Sequence, residues 1–212
     1  MNILPEVKKR FDSLADGYNQ RLEVAKFFGH EHMLRVFKER NIGGAKKENL
    51  EVLDLGCGTG LCGQAFKPYA TFIDGVDLSE KMLANSRRLG IYRHLYLNDI
   101  LTHLGHLKNQ YDLLTSASVF LYFDDLLPVL TNSRFALRPG GIFIFTCDRH
   151  DDNSINFQLN PRNTLMFTHS QSYIENCIHT AGLRLITLEK IDERLNWKNQ
   201  DPVPAFIVLA AA

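Results

Sequence analysis

Three observations in this 212-residue chain predict an α/β fold with a mainly parallel sheet. Residues 50–55, Leu-Glu-Val-Leu-Asp-Leu, form a short apolar run suited to a buried strand, and glycines follow at 56, 58 and 60. Further short apolar runs at 71–77, 91–97 and 111–119 alternate with stretches of helical spacing. Residues 142–147, Ile-Phe-Ile-Phe-Thr-Cys, are a run without polar alternation, as in a central strand covered on both faces.

Each element has a local reason. Residues 1–45 read as peripheral helices, with Phe11, Leu14, Ala15 and Tyr18 on one apolar face. Leu22, Ala25, Phe28, Met33, Leu34 and Phe37 line a second face, and 41–47 is a glycine-containing loop. This segment either caps the sheet edge or lies over a pocket as a lid. After the glycines a helix is expected from Leu61, stopping before Pro68. Ser79 is placed to cap a helix carrying Met82, Leu83 and Ser86. Another helix is expected from Asp124 or Asp125 through Leu137, ended by Arg138-Pro-Gly-Gly141. Asp148 to Thr168 is polar and aperiodic, and reads as a long functional or disordered loop. A helix over 170–181 closes at Gly182, and strands are expected at 183–188 and 205–210, joined by the loop around Trp197 and the Pro202-Val-Pro204 break.

The totals restrict function. Lysine plus arginine equals aspartate plus glutamate at 24 each, so no global field attracts nucleic acid or an anionic membrane. Residues 1–10 contain no signal-peptide core, and no stretch nears the roughly 20 apolar residues of a membrane span. Cys57, Cys62, Cys147 and Cys177 lack metal or redox spacing, which fits a reducing compartment; a cytoplasmic location is expected.

Strand, glycine turn and helix together make a nucleotide-type pocket, in which free N–H groups face the ligand. A tight turn alone needs fewer glycines. Gly58-Thr-Gly-Leu-Cys-Gly63 satisfies GxGxxG, and Asp77 ends the next strand where a carboxylate reaches ribose hydroxyls, so an NAD(P)-dependent oxidoreductase is one reading.

The landmarks together resemble a different family. Val52-Leu-Asp-Leu-Gly-Cys-Gly-Thr-Gly60 is similar to the first motif of the class I S-adenosylmethionine-dependent methyltransferases, Gly75-Val-Asp-Leu-Ser79 to the second, Asp99 to the third. Arg138-Pro-Gly-Gly141 resembles their turn before strand five, and the Phe-Asp-x-x-Ala-x-x-Tyr pattern at 11–18 the N-terminal segment of many small-molecule members. His169-Ser-x-x-Tyr173 and Pro202-Val-Pro204 further resemble a bacterial subgroup labelled TPR-associated methyltransferases. Ser118 stands where that subgroup tends to carry Asp, and Met166 where it tends to carry Arg.

The resemblance implies one domain over 1–212 with a three-layer Rossmann-like fold. Its seven-stranded sheet would have one antiparallel strand, around Phe206–Leu209. Residues 1–45 would be a cap or lid, and 148–168 an active-site loop. It implies S-adenosyl-L-methionine as cofactor, S-adenosyl-L-homocysteine as product and a small-molecule acceptor. Cofactor contacts would come from Asp54, Gly56, Cys57, Gly58, Asp77, Leu78, Met82, Asp99, Ile100, Ser116 and Ala117, with Phe11 and Tyr18 from the N-terminal segment.

Each residue also has a plainer role. Asp54 orders the glycine loop or offsets the cofactor amino group. Asp77 and Asp99 bind ribose and adenine or only cap helices, and Cys57 packs. Tyr122 walls an acceptor pocket or belongs to the core. His169 is a general base or a surface or helix-capping histidine. His94, His103, His106 and His150 show no convincing metal-ligand spacing. A cofactor-binding fold serving assembly or regulation is the non-enzymatic alternative.

Overall fold

The computed structural model describes residues 3–40, 48–160, 163–196 and 199–212. The loop expected at 41–47 and Trp197 therefore lie outside the described residues.

The element that fixes the fold is strand β1 (Leu50–Leu55), an interior strand of a seven-stranded sheet. Its neighbours are β2 (Ala70–Asp77) on one side and β4 (Tyr111–Ser116) on the other, both parallel. Beyond β2 lies β3 (His94–Leu97), and beyond β4 lies β5 (Leu137–Asp148). The chain's last strand, β9 (Pro202–Ala211), runs antiparallel between β5 and β8 (Arg184–Leu195), giving the order β3-β2-β1-β4-β5-β9-β8. This is the expected three-layer sheet with one antiparallel strand. It also separates the chain from the dinucleotide-binding fold, whose sheet has strand order 3-2-1-4-5-6 without such an insertion.

Side-chain alternation along the strands builds two cores. Leu53, Leu55, Phe143, Phe145, Phe206 and Val208 face one side of the sheet. There they meet α6 (Ile100–Leu104), α7 (Leu127–Ala136) and α8 (Gln171–Thr180). Leu50, Val52, Ile142, Ile144, Ile207 and Leu209 face the other side, against α3 (Gly29–Glu39) and α4 (Leu61–Phe66). A period of two thus buries both faces of the central strands, which explains why 142–147 reads as an unbroken apolar run.

Several boundaries differ from expectation, each for a local reason. The N-terminal apolar face does not lie on one helix: α1 (Leu4–Leu14) ends, Gly17 takes φ 73°, and α2 (Tyr18–Val24) begins. Phe28, expected on an apolar face, is 43% exposed. Helix α3 is no mere edge cap, because Met33, Val36 and Phe37 are fully buried. The fourth strand stops at Ser116 because Ser118 adopts φ 57°. Arg138–Gly141 does not separate helix from strand; β5 already pairs at Leu137 and crosses an irregularity before Ile142.

The segment expected as a structureless loop contains a two-stranded sheet, β6 (Phe157–Asn160) with β7 (Asn163–His169). Pro202 and Pro204 do not break the last strand; they pair at its start with Leu195 and Asp192. Ser79 caps α5 (Glu80–Arg87) by accepting from the Met82 N–H, and Gly182 takes φ 76° after α8, both as expected.

Phe37 packs edge-on against Phe66 and Tyr69, at ring-centroid separations of 5.4 and 5.2 Å. Phe37→Ala is therefore expected to cost about 3–5 kcal/mol of unfolding free energy by denaturant titration. A loss below about 1 kcal/mol would place α3 outside the cooperative core.

Candidate cofactor and acceptor site

The site lies at the carboxyl ends of β1, β2, β4 and β5, where an open α/β sheet forms its crevice. Leaving β1, the backbone passes through Gly56 at φ 67° and Gly58 at φ 53°. A Cβ on Gly56 would sit 2.5 Å from Val119, so packing alone demands glycine there. A Cβ on Gly58 would meet nothing nearer than the Gly56 carbonyl oxygen at 3.9 Å. Its lack of a side chain keeps that side of the turn open.

Asp77, ending β2, ties this turn down. One carboxylate oxygen accepts the Gly58 N–H at 2.8 Å and the other accepts the Ser79 N–H at 2.8 Å. Burial pushes its pKa up, opposed by these backbone hydrogen bonds. An ionised carboxylate offers about four acceptor positions, so these backbone bonds, with a further one from Leu78, leave acceptor capacity unused. Gly58 and Asp77 are thus compatible with a nucleoside ribose: an open backbone face beside a carboxylate with spare acceptor capacity.

Asp54 is placed differently. It is buried beneath the glycine turn, accepting from the Tyr92 hydroxyl at 2.8 Å and the Thr115 hydroxyl at 3.0 Å. Burial raises its pKa to about 6, against the lowering effect of those hydrogen bonds. Tyr92, unforeseen in the sequence, also explains Gly63: a Cβ there would lie 2.3 Å from the tyrosine oxygen. The third glycine of the GxGxxG pattern is accounted for by this tyrosine.

The remaining expected cofactor contacts divide into two groups. Leu78 is half-buried beside Asp77, Met82 and Ile100 are buried, and Asp99 caps α6 by accepting the Thr102 N–H at 2.8 Å. Cys57 is buried, its thiol pKa pushed up mainly by burial, and fills space against Gly75. Ser116 donates to the Leu55 carbonyl oxygen at 3.0 Å, so its hydroxyl is engaged within the sheet, and Ala117 is half-buried. The four cysteines are free and buried.

The N-terminal segment covers this crevice. Asp12 accepts from the Ser79 hydroxyl at 2.6 Å, the Ala15 carbonyl oxygen accepts from Asn85 at 3.0 Å, and the Thr59 hydroxyl donates to Asn19 at 2.7 Å. These contacts carry Phe11 to 6.0 Å from Tyr18 and 5.6 Å from Tyr122, ring centre to ring centre. Residues expected at separate places in the sequence thereby form one aromatic wall. Tyr122 belongs to a 3-10 turn, Phe120–Tyr122, and burial raises its hydroxyl pKa to about 12.

His169 is neither at the surface nor a helix cap; Ser170 caps α8. The fully buried imidazole stacks on Tyr173, with centroids 5.8 Å apart, and its Nε2 donates to the Phe123 carbonyl oxygen at 2.9 Å. The Tyr173 hydroxyl accepts the Leu126 N–H and donates to Asp125. The His169–Tyr173 motif therefore braces the segment that carries Tyr122. Burial depresses the His169 pKa to about 4, so the ring is neutral at pH 7.

A second polar group at the site was not foreseen. Arg194 donates to Asp148 at 2.8 Å, to the Ser118 hydroxyl at 3.1 Å and to Glu193. Glu193, fully buried, also accepts from Ser118 at 3.0 Å and from Thr146. Burial pushes the Glu193 pKa up, opposed by the Arg194 charge. Burial works against the charge of Arg194, but Asp148 and Glu193 more than offset it, so its pKa rises. No group of three or more His, Cys, Asp or Glu among the described residues is placed to hold a metal ion. Among those residues no helix is long and apolar enough to cross a membrane.

Residues 53–143 match the family model described as a methyltransferase domain. The chain is 28% identical over 147 residues to the malonyl-(acyl-carrier protein) O-methyltransferase of Bacillus cereus, covering 68% of this chain and 53% of that protein. It is 26% identical over 158 residues to the ubiquinone biosynthesis O-methyltransferase of Coxiella burnetii, covering 66% of each. The chain spans about half the length of the first relative. A methyltransferase from Haloferax volcanii, solved with its Trm112 activator, superposes with a TM-score of 0.74 at 19% identity, over 95% of this chain and 97% of that one. The chain thus carries a methyltransferase domain over residues 53–143 and shares the fold of S-adenosylmethionine-dependent methyltransferases.

The depressed His169 pKa has a definite sign for stability. Between pH 6.5 and 4 the unfolded chain binds a proton on this histidine that the folded chain does not, so this contribution is lost on acidification. Asp54, with its raised pKa, acts oppositely between pH 6 and 3.8, where the folded chain holds the extra proton. The stability difference between wild type and His169→Gln should therefore change by about 3 kcal/mol from pH 7 to pH 4, acid favouring the variant. Denaturant titrations at both pH values measure it, and a pH-independent difference would place His169 in solvent.

Proposed function

We propose that the chain transfers a methyl group from S-adenosyl-L-methionine to a small-molecule acceptor, leaving S-adenosyl-L-homocysteine. The observation that carries this reading is the Gly58–Asp77 pair, an open glycine backbone beside a carboxylate with acceptor capacity to spare. Asp77 is the residue for the ribose hydroxyls, and Leu78, Met82, Asp99 and Ile100 are the surroundings for the base. Gly56 and Gly58 are the backbone beside the methionine portion, with Asp54 holding the turn from below.

When bound, the cofactor supplies a methyl group already activated by sulfonium charge. What remains for the protein is alignment and exclusion of water, which can provide much of the acceleration. Phe11, Tyr18 and Tyr122 suit both roles, because they form a wall over the carboxyl ends of the strands and offer flat apolar faces to an acceptor. The acyl-carrier-protein substrate in the Bacillus cereus relative's name and the ubiquinone pathway in the Coxiella burnetii one both concern acceptors that are not polynucleotides. The chain's zero formal charge agrees with this. The residues that meet the acceptor act as its template, and a general base is needed only for an acceptor that arrives protonated.

Replacing Asp77 by Asn keeps its shape, removes the charge that strengthens ribose hydrogen bonds and turns one of its two backbone acceptors into a donor. Calorimetric affinity for S-adenosylhomocysteine should fall at least about tenfold while the circular dichroism spectrum is retained. Unchanged affinity would remove Asp77 from the cofactor site and the proposal's main support with it.

A further inference from the structure

The end of β5 carries a buried carboxylate whose bonding is incomplete. Asp148 is 1% exposed; one oxygen accepts from Arg194 at 2.8 Å, and the other, Oδ1, has no hydrogen-bond partner. A buried acceptor atom without a donor carries a desolvation cost of about 1–3 kcal/mol, more for a charged group. Native proteins leave few such atoms, and functional sites account for some of them.

The location connects this atom with methyl-group chemistry. Asp148 ends the strand next to β4, whose continuation holds Ala117 and Ser118 and leads into the turn bearing Tyr122. Arg194 ties the two together, donating to Asp148 at 2.8 Å and to the Ser118 hydroxyl at 3.1 Å. The carboxylate and the guanidinium thus lie beside the segment that carries the aromatic wall assigned above to the acceptor.

The surrounding charges select among acceptors. Arg194 would be the natural anchor for an anionic group, but Nη1 is bonded to Glu193 and Ser118 and Nη2 to Asp148. These three bonds hold both Nη atoms on groups of the protein itself. Two carboxyl groups oppose this one guanidinium, so an incoming carboxylate meets a like charge at Asp148. A hydroxyl or amine instead brings the hydrogen that Oδ1 lacks.

Resting on the methyltransferase reading, we propose that Asp148 is the acceptor-recognition residue, its Oδ1 receiving the hydrogen of a hydroxyl or amine on a flat, aromatic acceptor. Arg194 and Glu193 are positioning residues: Arg194 fixes the Asp148 carboxylate through its second oxygen, and Glu193, with Thr146 and Ser118, fixes Arg194. The pocket accordingly prefers neutral O–H and N–H acceptors to carboxylates.

The test uses the full chain saturated with S-adenosylhomocysteine and three probes of one ring size: phenol, aniline and benzoate. Binding is read by calorimetry at millimolar probe. Phenol and aniline should bind about tenfold or more tightly than benzoate, the scale of one hydrogen bond to a charged group. Asp148→Asn should erase that preference while leaving affinity for S-adenosylhomocysteine within about twofold. Benzoate binding as well as phenol, no binding of any probe, or a preference indifferent to Asp148→Asn would each overturn the assignment. The wild-type comparison decides even where the variant fails to fold. Failure of the wild-type chain to bind S-adenosylhomocysteine at all would instead strike the underlying methyltransferase reading.

Discussion

The Asp77 carboxylate holds the site together. By accepting the Gly58 and Ser79 N–H groups it joins the turn after β1 to the first residues of α5. Ser79 then does two further things: it caps α5 through the Met82 N–H and donates to Asp12 of the covering helix. One carboxylate thus sets the glycine turn and the start of α5, and Ser79 carries its influence to α1. The parallel register of β1 with β2 makes this possible, because it ends both strands at the same edge of the sheet.

Much of this was legible because the sheet is buried on both faces. The mainly apolar run at 50–55 and the continuous one at 142–147 have no other inexpensive use, and glycines after the first run identify the turn that opens a ligand crevice. Ser79 and Gly182 were legible as helix ends because their roles are local. The β6–β7 hairpin was not, since Asn-rich polar strands lacking a buried face show no clear alternation. Phe157 and Leu159 are 36% and 53% exposed, so no core fixes their pattern. Nor did the extended β8 announce itself: Asp192, Glu193 and Arg194 look like a charged loop until a register irregularity at 192–194 turns Glu193 inward.

That irregularity shapes the surroundings of Ser118. The sequence resemblance sets Ser118 where an Asp is expected after strand four, yet the position is not left without a carboxyl group. Glu193 arrives from β8 and accepts the Ser118 hydroxyl, while Arg194 donates to that same hydroxyl. Contacts between residues more than seventy positions apart leave no spacing signature in a single sequence. Tyr92 was missed for a related reason: nothing at 92 signals that its hydroxyl reaches Asp54 across the sheet edge. The His169–Tyr173 motif was visible, but its long-range contacts, which brace the turn bearing Tyr122, were not.

Thermal unfolding with S-adenosylhomocysteine or NADH, each in millimolar excess, decides the cofactor with the fewest intervening assumptions. Ligand at about 100 times its dissociation constant stabilises the folded state by about 2.7 kcal/mol. For a chain of this size that corresponds to a rise of roughly 5–10 °C. A methyltransferase site built on Gly58 and Asp77 should give this rise with S-adenosylhomocysteine and none with NADH. A rise with NADH alone, or with neither compound, would contradict that assignment.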